Sequence, residues 1–350
     1  MLSIYDIDRV NAFCRQNRIS DHPLKRLRIA FFKKGLPIED CLEVLPEEHR
    51  AAVAGQIRMQ YLHIVERHDS KRDGATKLVF QTADRQAVEA VILRITSGRT
   101  SLCISSQVGC GVDCAFCASG RGGLTRNLTA DEMLDQVALA MRLLRSEGRV
   151  VRNVVVMGTG EPLHNEEALF QALETLRDPR GFYLSDRHLM VSTAGLSEAM
   201  LRFVERFPSV RLALSLHSAR QEVREQIMPT AKFQTLEKLR EIFPKVGKHN
   251  NFMIEYLLLK GINDGPEDLA ALIDYLRGIP AHINLIQFNP HPGTAFQPVS
   301  KAAREAFGDV LRKAGFKVTL RYSLGDDIAA ACGQLAGRRG KYESLVKLES

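Results

Sequence analysis

From Thr100 to Arg321 short β-rich runs alternate with amphipathic helical stretches, and no other feature of the sequence restricts the fold so tightly. The runs that read as strands cover 101–106, 153–157, 188–192, 211–216, 251–259, 284–288 and 317–321. Helical spacing falls between them, near 129–146, 165–176, 196–206, 221–227, 235–244, 266–277 and 301–314. Such alternation marks parallel strand–helix–strand units. About six crossovers suit an α/β fold built as an open or partial (β/α)6-type barrel, whose reactive groups gather at the C-terminal ends of the strands. Thr129 ahead of Asp131 and Glu132 gives the first of these helices an N-cap with dipole support.

Residues 1–95 have a different character. Asp21 can cap a helix opened by Pro23, with Leu24, Leu27 and Phe31 at helical spacing and Gly35 as its end. Lys25, Arg26, Arg28, Lys33 and Lys34 take its other faces, with no acid between Asp21 and Glu39. That face reads equally as solvated and as a contact for an RNA backbone. Stretches 76–80 and 88–93 read as two strands joined near Ala83, Asp84 and Arg85. The chain thus divides into a small N-terminal α+β accessory domain (1–95), the barrel (96–325) and a C-terminal segment (326–350).

A formal charge of +7 tilts the choice of partner towards a polyanion such as RNA. No apolar run nears the roughly 18 residues that span a bilayer, and Met1 to Asp8 brings acids early with no apolar leader core. A cytoplasmic protein with no membrane partner is expected. Thiols stay reduced there, so seven cysteines are better explained by metal and redox chemistry than by a disulfide framework. No internal repeat, low-complexity tract or G-x4-G-K motif occurs, and the basic run 337–341 reads as a solvated terminus.

Cys110, Cys114 and Cys117 form a C-x3-C-x2-C array. On a helix the spacing would align three thiols as an inert stripe, but Gly109, Gly111, Gly120, Gly122 and Gly123 make the segment a loop wrapped around a ligand. A structural zinc site needs a fourth ligand, and the second cysteine pair that would supply it is missing. An iron–sulfur cube held by three thiolates leaves one iron open, so the array favours a cluster. Downstream, Gly158 to Pro162 follows a strand and presents Glu161 at the barrel mouth, although alone it is only a turn. Ser192, Ser215, Leu216, His217 and Asn289 also stand at strand ends, where capping of the next helix is an equal alternative. Cys14 and Cys41 read as small buried apolar residues, and Cys332, bracketed by Gly325, Asp326, Asp327 and Gly333, as a reactive loop thiol. Cys103 fits either description. Arg121, Arg126, Arg224 and Lys260 lie near strand ends or the cysteine loop, as surface cations that carry no site assignment.

The array after a strand resembles the radical S-adenosylmethionine (SAM) superfamily. Ser105 to Cys110, Gly158 to Pro162, Ser215 to His217, Asn289 to Gly293 and Asp327 to Leu335, in that order, resemble the RlmN/Cfr family of radical SAM ribosomal RNA adenine methyltransferases. The resemblance implies a partial radical SAM barrel and a [4Fe-4S] cluster on Cys110, Cys114 and Cys117. It implies SAM, two per turnover, bound by Gly160 and Glu161 at its ammonium and by Ser192, Ser215, Leu216, His217 and Asn289. Cys332 would carry a methyl group as S-methylcysteine; a 5′-deoxyadenosyl radical would activate it for addition to C2 or C8 of an adenosine in 23S rRNA. Transfer RNA serves some members too. Cys103 would release the product by a transient disulfide with Cys332, and Glu89, by position, would accept the ring proton. An electron donor such as flavodoxin or ferredoxin is implied, and no DNA partner. Thr159 stands where the family commonly has Met, and Arg321 to Leu324 departs from the common lead-in.

Two other outcomes keep the cluster: RNA methylthiolation, which should bring a second cysteine cluster or an added RNA-binding module, and glycyl-radical activation, which leaves Cys332 idle. A zinc-containing RNA-binding protein is the non-enzyme alternative.

Overall fold

The computed structural model describes residues 1–249 and 252–335; the basic run 337–341 and the rest of the tail lie outside the described residues. An aromatic cluster organises the N-terminal part. β1 (Leu2–Ser3) leads into α1 (Ile7–Gln16), capped by Asp6, whose carboxylate accepts the Arg9 N–H at 3.1 Å. α2 (Asp21–Arg28) follows, and its cap is Ser20, the last extended residue. Asp21 is therefore the first helical residue and not the cap, acting through its charge in the first turn. Beyond Arg28 the helix widens into a π-turn over Ile29–Lys33, closed by the Lys34 N–H on the Ile29 carbonyl and followed by Gly35 at φ +56°. The widened turn carries both Phe31 and Phe32 into the core, centroids 4.9 Å apart, against Tyr5 and Phe182. α3 (Ile38–Glu43) and α4 (Glu47–Gln56) complete the layer, and β2 (Ile57–Arg58) pairs in parallel with β1.

The remaining strands form one ten-stranded sheet and a small hairpin. β3 (His63–Asp69), β4 (Ala75–Gln81) and β5 (Ala87–Arg94) make an antiparallel ribbon. β6 (Thr100–Ile104) continues it; β7 (Gln107–Gly109) and β8 (Leu124–Asn127) are the hairpin that frames the cysteine loop. Then α5 (Ala130–Arg145), β9 (Asn153–Val156), α6 (Glu166–Arg177), β10 (Leu189–Thr193), α7 (Ser197–Arg206) and β11 (Arg211–Ser215) alternate. They are followed by α8 (Gln221–Ile227), α9 (Leu236–His249), β12 (Met253–Leu258), α10 (Pro266–Tyr275), β13 (His282–Gln287), α11 (Lys301–Lys313) and β14 (Lys317–Arg321). The strand order is β14-β13-β12-β11-β10-β9-β6-β5-β4-β3, with every pairing from β6 to β14 parallel.

Each expected barrel strand and helix is present. α9 runs past the expected end with Pro244 inside it, and the ribbon strand β3 was not expected. The boundary expected near residue 95 falls between β5 and β6, hydrogen-bonded neighbours in which Val91 faces Cys103. The ribbon and the barrel therefore share a sheet. Asp135 on α5 joins the helical layer to it: one oxygen accepts Tyr5 Oη–H at 2.6 Å, the other the Tyr61 and Leu62 N–H groups at 2.7 and 2.8 Å.

Side chains alternate across the sheet. Leu102, Val154, Val191, Leu214, Ile254 and Leu285 are buried under the helices. Their neighbours Cys103, Ser192, Ser215, Glu255, Ile286 and Arg321 project from the opposite face.

Candidate active site

The mouth of the barrel is built by loops that leave the C-terminal ends of β6, β9, β10 and β11. Ser105 Oγ donates to the Glu89 carbonyl at 2.6 Å and accepts the Thr159 N–H at 2.8 Å, and Gln107 Oε1 accepts the Glu161 N–H at 2.8 Å. The two loops close on each other so tightly that a Cβ on Gly160, at φ +111°, would stand 2.6 Å from the Gln107 Cβ. Glu161 is consequently fixed and buried: its carboxylate accepts the Leu163 and Ala194 N–H groups at 3.0 and 2.7 Å. Burial raises its pKa, opposed by those hydrogen bonds.

Cys110, Cys114 and Cys117 border the same cavity as Glu161, Ser192, Ser215, His217 and Cys332. The loop holds its shape through Gly109, where a Cβ would meet the Gly123 carbonyl oxygen, and Arg121 ties it to the 292–293 loop by donating to both carbonyls there. Around the thiols lie Val112, Phe116, Met228, Leu257, Ile286 and Phe288, an apolar shell. Burial pushes the Cys110 thiol up to about 11 and raises Cys114 and Cys117 as well, each aggravated by neighbouring sulfur. Three buried thiolates side by side need a positive partner, which a polynuclear iron–sulfur centre provides. Among the described residues no three His, Cys, Asp or Glu side chains are placed to hold a single metal ion.

His217 stands at φ +56°, and its Nδ1 accepts the Leu257 N–H at 3.0 Å, so the neutral ring carries its proton on Nε2. Ser192 and Ser215 Oγ lie 3.3 Å apart. Leu216 and Asn289 do not border the cavity. Leu216 is packed beneath it, and the Asn289 amide donates to Ser323 Oγ at 2.8 Å and the Cys332 carbonyl at 3.2 Å.

Cys332 is exposed on a loop pinned from three sides. Asp327 accepts Ser70 Oγ–H at 2.8 Å and the Lys71 N–H at 3.0 Å; Gln334 Nε2 donates to the Pro290 carbonyl at 2.9 Å; the Gly333 carbonyl accepts the Ala118 N–H at 2.8 Å. Cys103 lies beneath this loop with Val91, Ala330 and Leu335, outside the cavity wall, its thiol pushed up to about 12 by burial and then by the nearby Cys332. Glu89 is also off the wall: Lys77 Nζ sits 3.4 Å from its carboxylate and donates to the Ala329 carbonyl at 3.3 Å. All seven cysteines are unpaired.

Two residues escaped the sequence reading, and Arg224, expected as a surface cation, was misplaced by it. Arg224 is fully buried, donating to the carbonyls of Leu216, Gln234 and Ala194 at 3.1, 2.8 and 2.7 Å, and burial lowers its pKa to about 10. Glu255 and Arg321 form the cavity floor, 3.9 Å apart, with Asn284 donating to Glu255 at 3.0 Å. The charge of Arg321 acts on both Cys103 and Cys332. A lone acid inside the apolar run 251–259 was the available signal for Glu255.

The Radical SAM superfamily model matches residues 104–276. A probable RNA methyltransferase of Rhodopirellula baltica is 42% identical over 98% of this chain and 89% of its own length. The dual-specificity RNA methyltransferase RlmN of Dinoroseobacter shibae is 37% identical over 87% of this chain and 80% of that protein. A crystal structure of a radical SAM methyltransferase from Sphaerobacter thermophilus superposes with a TM-score of 0.90, at 33% identity, covering 97% of this chain and 100% of the other. With the mouth, the cysteine loop and these likenesses together, the chain belongs to the radical SAM RNA methyltransferase family that includes RlmN.

Proposed function

We propose that the protein methylates an aromatic carbon, C2 or C8, of an adenosine in 23S ribosomal RNA, with transfer RNA a further candidate, and that Cys332 carries the methyl group as S-methylcysteine. The observation that supports this reading is the pairing of an exposed Cys332, on the rim of the cavity that the three-cysteine loop borders, with Cys103 beneath it. When bound, a [4Fe-4S] cluster on Cys110, Cys114 and Cys117, with two SAM per turnover, supplies a methyl donor and the one-electron chemistry that an unactivated ring carbon demands.

The chain's own groups do the rest. Glu161, held by two backbone donors beside Gly160, receives an ammonium; Ser192 and Ser215 offer hydroxyls below it; His217 and Leu216 hold their turn in place. Asn289 fastens the Cys332 loop to β14 through Ser323. Cys332 Sγ takes the methyl and loses its proton. Once that carbon is joined to the adenine ring, the Cys103 thiolate attacks the Cys332 sulfur, an S–S bond replacing the carbon–sulfur bond; the electron pair leaves with the carbon, which takes a proton to become the product methyl group, and two electrons from an external reductant reopen the disulfide. Glu89, beneath the same loop, is the proposed acceptor of the ring proton. An electron donor of flavodoxin or ferredoxin type and a cytoplasmic setting belong to this reading.

Mass spectrometry of ribosomal RNA from cells lacking the gene tests substrate and position together. One methyladenosine should vanish, return with the wild-type gene and stay absent with Cys332→Ala; its return with that variant overturns the carrier role. Anaerobically purified protein should hold iron and sulfide in about equal amounts, and zinc without sulfide would end the cluster assignment.

A further inference from the structure

At the opposite end of the barrel from the cysteine loop, the segment leading from α6 into β10 meets the basic helix α2. Between them lies a cavity of about 440 Å³, roomy against the roughly 30 Å³ share of one water. Arg15, Lys25, Arg28, Lys33 and Arg180 border it, against one acid, Asp21. Arg180 is already neutralised, bonded to Asp8 at 2.6 Å and Asp178 at 2.7 Å. Among the described residues the other four cations form no ion pair within 4.0 Å, and Asp21 and Asp178 reach Arg28 through longer-range attraction.

Two charged donors here are buried without an acceptor among the described residues: Arg28 Nη2 and Lys33 Nζ. Lys33 instead lies over the Tyr183 ring, 5.0 Å from its centroid. Burial lowers the pKa of both cations, and Arg180 lowers that of Arg28 further, so the folded chain holds positive charge where it is disfavoured. The third unpartnered atom is Asn11 Oδ1, and half a turn of that amide presents its NH2 group instead. The π-turn over Ile29–Lys33 sets Lys33 against the cavity, and such turns are frequent at binding sites. Orphaned donors, unpaired cations and a cavity between them describe a receptor for a compact polyoxyanion.

We propose that this cavity binds a phosphate group. The backbone of the substrate RNA is one source, which rests on the reading of the protein as an RNA methyltransferase; a free phosphate is the other. As an RNA contact it would lie at least a strand length, roughly 15–20 Å, from the chemistry. It would grip the molecule without reading its sequence.

The test uses the full chain with its cluster. Wild type is compared with the exposed double variant Arg15→Gln/Lys25→Gln, with Lys33→Gln, and with Lys301→Gln/Lys313→Gln on α11 as an equal charge change elsewhere. Melting is followed in inorganic phosphate and in chloride of equal ionic strength, and RNA affinity is measured across a salt series. Phosphate should raise the Tm of wild type and of the α11 control, and not that of either cavity variant. If RNA supplies the group, the slope of log K against log salt falls by roughly 1 in the cavity variants alone. A phosphate-specific Tm shift with unchanged slopes assigns the site to free phosphate, and would stand even if the RNA reading failed. No Tm shift and no slope change overturns the proposal.

Discussion

His217 occupies a left-handed conformation, accepts a backbone N–H on Nδ1 and is buried, and burial with the nearby Arg224 pushes its pKa down to about 3. An unfolded histidine titrates near 6.5, so between about pH 6.5 and 3 the unfolded chain binds a proton that the folded chain refuses. The stability held in that neutral ring is complete above pH 6.5 and drains as pH falls, by on the order of 1 kcal/mol per unit. His217→Asn keeps an acceptor near the Nδ1 position and tolerates the positive φ. Urea unfolding at pH 7 and pH 5 should therefore show a smaller acid loss for the variant than for wild type, and equal losses would refute the assignment. At this scale the motif residues could be read from the sequence because they are adjacent in it. The roles of Glu255, Arg321 and Arg224 could not, since their partners are Asn284, a thiol pair and three carbonyls on distant segments.

The turn after β9 depends on two glycines. Gly158 leaves 2.6 Å between a would-be Cβ and Ser105 Oγ, and Gly160 adds a positive φ to a contact of the same length. Gly160→Ala should cost roughly 1–3 kcal/mol and displace Glu161, lowering SAM affinity in calorimetry. Gly98→Ala, also at positive φ but with open space around it, should leave SAM affinity intact. Equal effects of the two changes would mean that the close packing plays no part. Elements with an apolar rhythm were legible to within a residue or two at most of their ends, α9 excepted. α9 outran its expected end because Val246 continues the buried face past Pro244, so packing prevails over the missing N–H. β3 was invisible because its residues are mostly exposed on both faces, which leaves no alternation to read.

On the scale of the whole molecule, the C-terminal loop bridges pieces distant in sequence: the ribbon turn at Ser70, the cysteine loop at Ala118 and the Pro290 loop. Asp327→Ala removes the anchor at Ser70 and Lys71, leaving the ribbon contacts of Lys77 Nζ with the Ala329 carbonyl and of the Gly325 N–H with Asp73. Global unfolding should hardly change, while formation of the proposed Cys103–Cys332 disulfide under a mild thiol oxidant should slow, by up to roughly two orders of magnitude if the sulfurs drift about 1 Å. Unchanged oxidation kinetics would show that the remaining anchors suffice. The alternation of strands and helices announced the barrel, but nothing local revealed that the ribbon continues its sheet, because the β5–β6 pairing is a matter of register between segments.

β3 ends that sheet with His63, Glu66, Arg67, His68 and Asp69 along it and a bulge between Ile64 and Glu66. A flat, greasy border would invite a second molecule to zip on and seed fibres. Charge and kink together make this border a poor template, so filaments should not grow from it.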